Sequence, residues 1–227
     1  MTVSMWERPA ATGHRAATRG DDGAWARACD AIVAAGRRMD QRGWVPATAG
    51  NISVRLADGR IAITRSGGHK GFLDAGGVME VDPDGRAVVP GERPSAETGL
   101  HTQLYAHDRA IGAVLHGHSV ASTVLSLAGA PDAIVLSGYE VQKVFAGQST
   151  HDASVTVPVF DNDQDIARLA TVVAPRLGAM PAGYVIRGHG VYVWGGDMPQ
   201  ALARLEGLEF LLGCELARRQ MSAGAAP

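Results

Sequence analysis

The stretch that decides the fold runs from Pro94-Ser95-Ala96-Glu97 through to Leu115-His116-Gly117-His118. Its first half, Glu97 to about His107, carries Leu100, Leu104 and Tyr105 at helical spacing. Its second half, Ile111 to His118, is an apolar run that ends in His-x-His and reads as a buried strand. Residues i and i+2 of a strand project to one face. His116 and His118 therefore present two imidazoles side by side, an arrangement that suits one metal ion. A lone His-x-His is also found as two satisfied histidines at a strand end, so its meaning depends on the rest of the chain.

Working outward, Asp21 or Asp22 can cap a helix that runs to about Arg42, with Trp25, Cys29, Ile32, Val33, Gly36 and Met39 near one face and Gly43 closing it. Gly50-Asn51 leads into an alternating strand through Leu56. Asp58-Gly59 is a hairpin turn, and Ile61 to Thr64 is the return strand. Ser66-Gly67-Gly68-His69-Lys70-Gly71 is a glycine-rich loop. Met79-Glu80-Val81, Pro83-Asp84-Gly85 and Ala87-Val88-Val89 predict a further hairpin. Beyond the His-x-His the pattern gives a helix over 120–127, a short strand over 134–136, a strand over 154–160 and a helix over 164–177. A hairpin bent at Gly188-His189-Gly190 and a final helix from Met198 to about Met221 follow. Strands joined by hairpins and interleaved with helices predict an α/β fold: a three-layer α/β/α arrangement around a largely antiparallel central sheet.

A chain of 227 residues reads as one domain over 21–227, preceded by a loose tail over 1–20 that contains Pro9, Gly13 and Gly20. The net charge of -2, with signs interspersed, leaves no basic footprint for nucleic acid or an anionic membrane. No apolar run is long enough for a membrane span, and the N-terminus lacks the apolar core of a secretory signal. Cys29 and Cys214 lie far apart in helical patterns and read as small buried apolar residues. These features predict a cytoplasmic protein.

His189 lies between glycines, which allow a sharp turn and a close approach of ligand. A third imidazole there would complete a three-histidine site with one open position, the pattern of a catalytic zinc. His14, His69, His101, His107 and His151 lack a partner at ligand spacing and read as surface or helix residues. Gly50-Asn51, Ser66-Gly67 and Ser95 expose backbone N–H groups and hydroxyls at element ends, with Lys70 as an added charge. Each is also ordinary turn chemistry; beside a metal they form a phosphate cradle.

Gly50-Asn51-Ile52-Ser53, Pro94-Ser95-Ala96-Glu97, His116-Gly117-His118 and Arg187-Gly188-His189-Gly190 together resemble the class II (zinc-dependent) aldolase/adducin family. Within it, residues 63–71, 94–105 and 189–195 are most similar to the branch that dehydrates 5-methylthioribulose 1-phosphate in methionine salvage. The resemblance implies one Zn²⁺ per subunit on His116, His118 and His189. It implies Glu97 as a catalytic carboxylate that neighbours or binds the metal, and Glu140, in Glu140-Val141-Gln142-Lys143, as the acid/base; Glu97 either shares the proton transfers or fills the metal's open position before substrate arrives. Asn51, Ser66, Gly67 and Ser95 take phosphate-loop positions, and the assembly implied is a homotetramer with the active site near a subunit boundary. There are two departures: Ala96 stands where a second serine occurs in fuculose-phosphate aldolases, so one phosphate hydroxyl is missing, and no tyrosine follows Tyr192, which counts against the aldolase and epimerase activities. Retro-aldol cleavage of another ketose phosphate is the alternative activity. A non-catalytic domain like the adducin head is the alternative class, although it would need neither the histidines nor the acid.

Overall fold

The computed structural model describes residues 22–224; the tail expected over 1–20 lies outside the described residues, as does Asp21. Five α-helices are present among them: α1 (Asp22–Gln41), α2 (Thr98–His107), α3 (Val120–Leu127), α4 (Ile166–Val173) and α5 (Met198–Gly224). The strands are β1 (Asn51–Arg55), β2 (Ile61–Thr64), β3 (Val78–Val81), β4 (Ala113–Gly117), β5 (Ala133–Ser137), β6 (Ser154–Phe160), β7 (Tyr184–Ile186) and β8 (Gly190–Gly195). They form one sheet in the order β3-β2-β1-β4-β8-β7-β6-β5. All neighbouring pairs are antiparallel except β6 with β7.

Alternation along the strands divides the core in two. Ile52, Leu115, Val185 and Val193 face α1, α3 and α5. Ile63, Val114, Ile186 and Tyr192 face α2 and α4. The result is the expected three-layer α/β/α sandwich. Among the described residues no helix is long and apolar enough to cross a membrane. Cys29 is buried as expected, whereas Cys214 is only half-buried on α5.

Two expected elements come out shorter. Ala87 makes a single bridge to Val81, and residues 87–89 form no strand, so the third hairpin has only one full arm. The helix expected over 164–177 is α-helical only to Val173. It then tightens into a 3-10 segment over Ala174–Ala179, where Pro175 removes a backbone donor.

The strand order also decides how far Glu140 lies from the histidines. β4 and β5 are separated by β8, β7 and β6, roughly 19 Å at about 4.8 Å per strand. The loop after β5, which carries Glu140, is therefore not at a strand end neighbouring the His-x-His of its own chain.

Candidate metal centre

Register builds the floor of the site. His116 on β4 pairs with Asn51 on β1 and with Tyr192 on β8. These three side chains therefore lie in one row on the face that carries α2 and α4. His116 stacks on Tyr192 with ring centroids 4.2 Å apart. His118 lies just past the end of β4, two residues on, and its ring is 4.5 Å from that of His116. Its backbone N–H donates to the Trp44 carbonyl at 2.6 Å, which ties the strand end to the loop after α1.

The β7–β8 bend brings the third imidazole in. Gly188 adopts φ +63°, a conformation that favours glycine. A Cβ on Gly190 would lie 2.1 Å from the Gly117 carbonyl oxygen, so only glycine allows β8 to start this close to β4. The bend is anchored to α3: the Gly188 N–H donates to Ser126 Oγ, and the Arg187 guanidinium donates to the carbonyls of Ser126 and Pro131. His189 thereby sits 4.7 Å from His118 and 5.0 Å from His116, centroid to centroid.

The three imidazoles fit a metal ion. One ligand nitrogen from each of His116, His118 and His189 lies within 4.8 Å of the others. His116 Nδ1 donates to the Val191 carbonyl at 2.9 Å, which fixes the tautomer and leaves Nε2 with its lone pair. That Nε2 is buried without a hydrogen-bond partner. Burial pushes the His116 pKa down to about 4 and that of His118 down to about 3, so both rings are neutral ligands at pH 7. Three imidazoles with room for a fourth ligand form a zinc site, one per chain.

Glu97 stands against this cluster at the start of α2. Its carboxylate lies 3.1 Å from His116 Nε2 and 3.0 Å from His189 Nε2. Asn51 Nδ2 and the Tyr192 hydroxyl both donate to its Oε2, at 2.8 and 3.0 Å. Burial alone would raise its pKa, but the histidines and Asn51 around it hold the carboxyl well below the usual range.

Behind Asn51 runs a buried relay that the sequence reading missed. His101 is wholly buried and not a surface residue. The Tyr105 hydroxyl lies 2.8 Å from Ser53 Oγ, which lies 2.7 Å from His101 Nδ1, and His101 Nε2 meets Asn51 Oδ1. Asn51 Oδ1 can only accept, so His101 Nε2 donates and its Nδ1 accepts from Ser53. Burial pushes the His101 pKa down to about 3, which keeps the ring neutral and that direction intact. The available signal was spacing: His101 follows Glu97 by one helical turn and shares its face.

Asn51, Ser66, Gly67, Lys70 and Ser95 line the same cavity, of about 360 Å³, as Glu97, His118 and His189. Lys70 is nearly fully buried, and its ammonium donates to the carbonyls of Thr48 and Gly68 at 2.6 and 2.7 Å. It therefore clamps two cavity loops together as well as placing a charge there. Burial lowers its pKa to about 8. Gly36 on α1 makes room for this loop, since a Cβ there would lie 2.5 Å from the Lys70 carbonyl oxygen. Asn162, Asp163, Gln164, Ile166 and Leu169 also line the cavity and had no motif to reveal them. Glu140 does not line it. Its side chain is 70% exposed, on a 3-10 turn after β5, paired with Lys143 and 3.9 Å from His151.

A zinc-type three-histidine cluster with an adjoining carboxylate, at one edge of this sheet, defines a class of protein, and the chain belongs to it: the class II aldolase and adducin N-terminal domain family matches residues 30–216. Its relatives include a methylthioribulose-1-phosphate dehydratase of Gluconobacter oxydans, 72% identical over 202 residues, covering 89% of this chain and 97% of the relative. Another protein of the same name, from Gluconacetobacter diazotrophicus, is 73% identical over 198 residues, with 87% and 97% covered. Among solved structures, an L-fuculose-1-phosphate aldolase from Thermus thermophilus superposes with a TM-score of 0.72 at 26% identity, over 89% of this chain and 100% of that one.

Proposed function

We propose that this chain is a zinc-dependent hydro-lyase that removes water from 5-methylthioribulose 1-phosphate to give 2,3-diketo-5-methylthiopentyl 1-phosphate. The observation that carries the reading is the His116–His118–His189–Glu97 cluster, with His116 buried and the other three half-buried, opening into a cavity edged by small polar loops. The 72% identity to a relative of that name supports the choice of substrate.

Zinc bound by the three histidines would supply Lewis acidity at the ketone end of the substrate. The reaction takes a proton from C3 and expels the C4 hydroxyl as water; the enol so formed then tautomerises to the diketone. Asn51, Ser66, Gly67, Lys70 and Ser95 hold the phosphate on C1 through hydroxyl, amide and ammonium donors. Glu97, ionised and fixed by Asn51 and Tyr192, is a poor proton donor. Its role is to hold charge beside the histidines and to share in proton abstraction. Glu140 is the acid/base that returns a proton to the departing hydroxyl.

Residues 21–227 act as one catalytic unit in this reading, and the assembly is a homotetramer. Glu140 then serves the histidine cluster of a neighbouring copy. Its exposure and its distance along the sheet from its own His116 support that assignment. The purified zinc protein should convert 5-methylthioribulose 1-phosphate, and chelation should abolish the activity until zinc is restored. Substrate left unchanged by the zinc-loaded protein would remove the reading.

A further inference from the structure

The cavity beside the histidines is polarised along the sheet edge. β2 ends and β1 begins on one side of the β4 terminus; β8, β7 and the end of β6 follow on the other. All five termini lie at the same edge, because β1 runs antiparallel to both β2 and β4, β8 runs antiparallel to β4 and β7, and β6 runs parallel to β7. The β1 and β2 loops bring Asn51, Ser66, Gly67 and the Lys70 ammonium. The segment after β6 brings Ile166 and Leu169, the largest apolar side chains lining the cavity. The histidines lie between.

We infer that Ile166, backed by Leu169, receives the methylthio end of the substrate and selects it over substrates with a hydroxyl there. The assignment rests on the dehydratase reading above and names the apolar wall that such a substrate requires. The spans agree. β4 is two strand steps from β2 and three from β6, about 10 and 14 Å by strand spacing. That leaves room for a five-carbon chain with a phosphate at one end and a thioether at the other.

Ile166 is held for this role. It is the first residue of α4, half-buried, with Asp165 capping the helix by accepting from the Arg168 N–H. Its Cγ2 lies against Gly99 on α2, where a Cβ would come within 3.1 Å of it. The absence of a side chain at Gly99, two residues after Glu97, gives Ile166 its seat beside the catalytic carboxylate. Leu169, one turn on, is buried in the core and supports it from behind. Ala96 adds a further apolar contact at the cavity wall.

The test compares wild type with Ile166→Asn, a change of similar size at a half-exposed position, on 5-methylthioribulose 1-phosphate and on ribulose 1-phosphate. The ratio of kcat/KM for the two should fall about 10–100-fold in the variant, the usual range for a small apolar group in a pocket. Binding of the unreactive pentitols is measured by calorimetry alongside. 5-Methylthioribitol 1-phosphate should bind wild type more tightly than ribitol 1-phosphate, and Ile166→Asn should remove that preference while retaining zinc. Ile166→Leu should keep it. An unchanged preference in Ile166→Asn, or none in wild type, overturns the assignment. A wild type that binds the methylthio pentitol selectively yet dehydrates nothing would leave Ile166 its role and overturn the dehydratase reading.

Discussion

Glu97 and the histidines around it make separable demands. His116 has its Nδ1 committed to Val191 and only Nε2 left for a metal. His116→Ala should therefore lose zinc and turnover together, and the far-UV spectrum should be preserved because the site lies at strand ends. Stoichiometric metal retained by that variant would contradict the ligand assignment. Glu140 makes a different demand, since nothing ties it to the three imidazoles within its chain. Glu140→Gln keeps shape and hydrogen-bonding reach but removes the proton. Turnover should fall by about 10²–10⁴, the usual worth of one positioned acid/base, with zinc content and Tm unchanged. A variant that dehydrates at the wild-type rate would shift the proton transfers to Glu97.

At the scale of the elements, the turn before α2 and the packing of α5 carry the testable consequences. Ser95 sits at the cavity edge two residues before Glu97, and its carbonyl already accepts from Thr98. Its hydroxyl is the part assigned to phosphate. Ser95→Ala should raise KM by the equivalent of roughly 1.5–3 kcal/mol, a hydrogen bond to a charged group, without loss of zinc; unaltered kinetics would move the phosphate elsewhere. On α5, Glu209 is buried with neither carboxylate oxygen partnered at hydrogen-bonding geometry. Burial pushes its pKa up to about 7, with Ser119 pulling slightly the other way. A carboxyl whose folded pKa is raised costs stability as pH rises from its unfolded value near 4.5 through 7. Glu209→Gln should therefore be stabilising by roughly 1–3 kcal/mol at pH 8 and by much less at pH 5, which denaturant titration at the two pH values would show. Equal effects at both would mean that Glu209 does not titrate in that window. These elements were unequally legible in the sequence. The 58–59 hairpin, α3 and β6 could be read from turn chemistry and apolar period because local preference and tertiary environment agree there. The strand expected over 87–89 reduces to the Ala87–Val81 bridge and one bond from the Val88 N–H to the Glu80 carbonyl; Pro90, which lacks a backbone donor, follows at once. His116, His118 and His189 were visible through spacing and glycine flanks. His101 was harder to see, because its one-turn spacing from Glu97 marks a shared face but not the hydrogen-bond partners it meets there, and the distance of Glu140 was not visible, because strand order is not written in local pattern.

For the whole molecule, the sheet places the polar loops, the histidines and the apolar segment after β6 in sequence along one edge, and it sets Glu140 apart from the histidines of its own chain; the proposal is that Glu140 serves another copy. Mixed assemblies test that division. His116→Ala and Glu140→Gln proteins, each inactive alone, should regain activity when unfolded together and refolded, since some sites then combine intact histidines from one copy with an intact Glu140 from the next. No recovery would place both groups in one chain's site. The central claim is that the site breaks a carbon–oxygen bond and leaves the carbon chain whole. It is tested most directly by mass analysis of the products after the zinc-loaded protein is incubated with 5-methylthioribulose 1-phosphate. A single phosphorylated product is expected, one water lighter than the substrate and with its methylthio group retained. Dihydroxyacetone phosphate together with methylthioacetaldehyde would instead show retro-aldol cleavage between C3 and C4, and would contradict it.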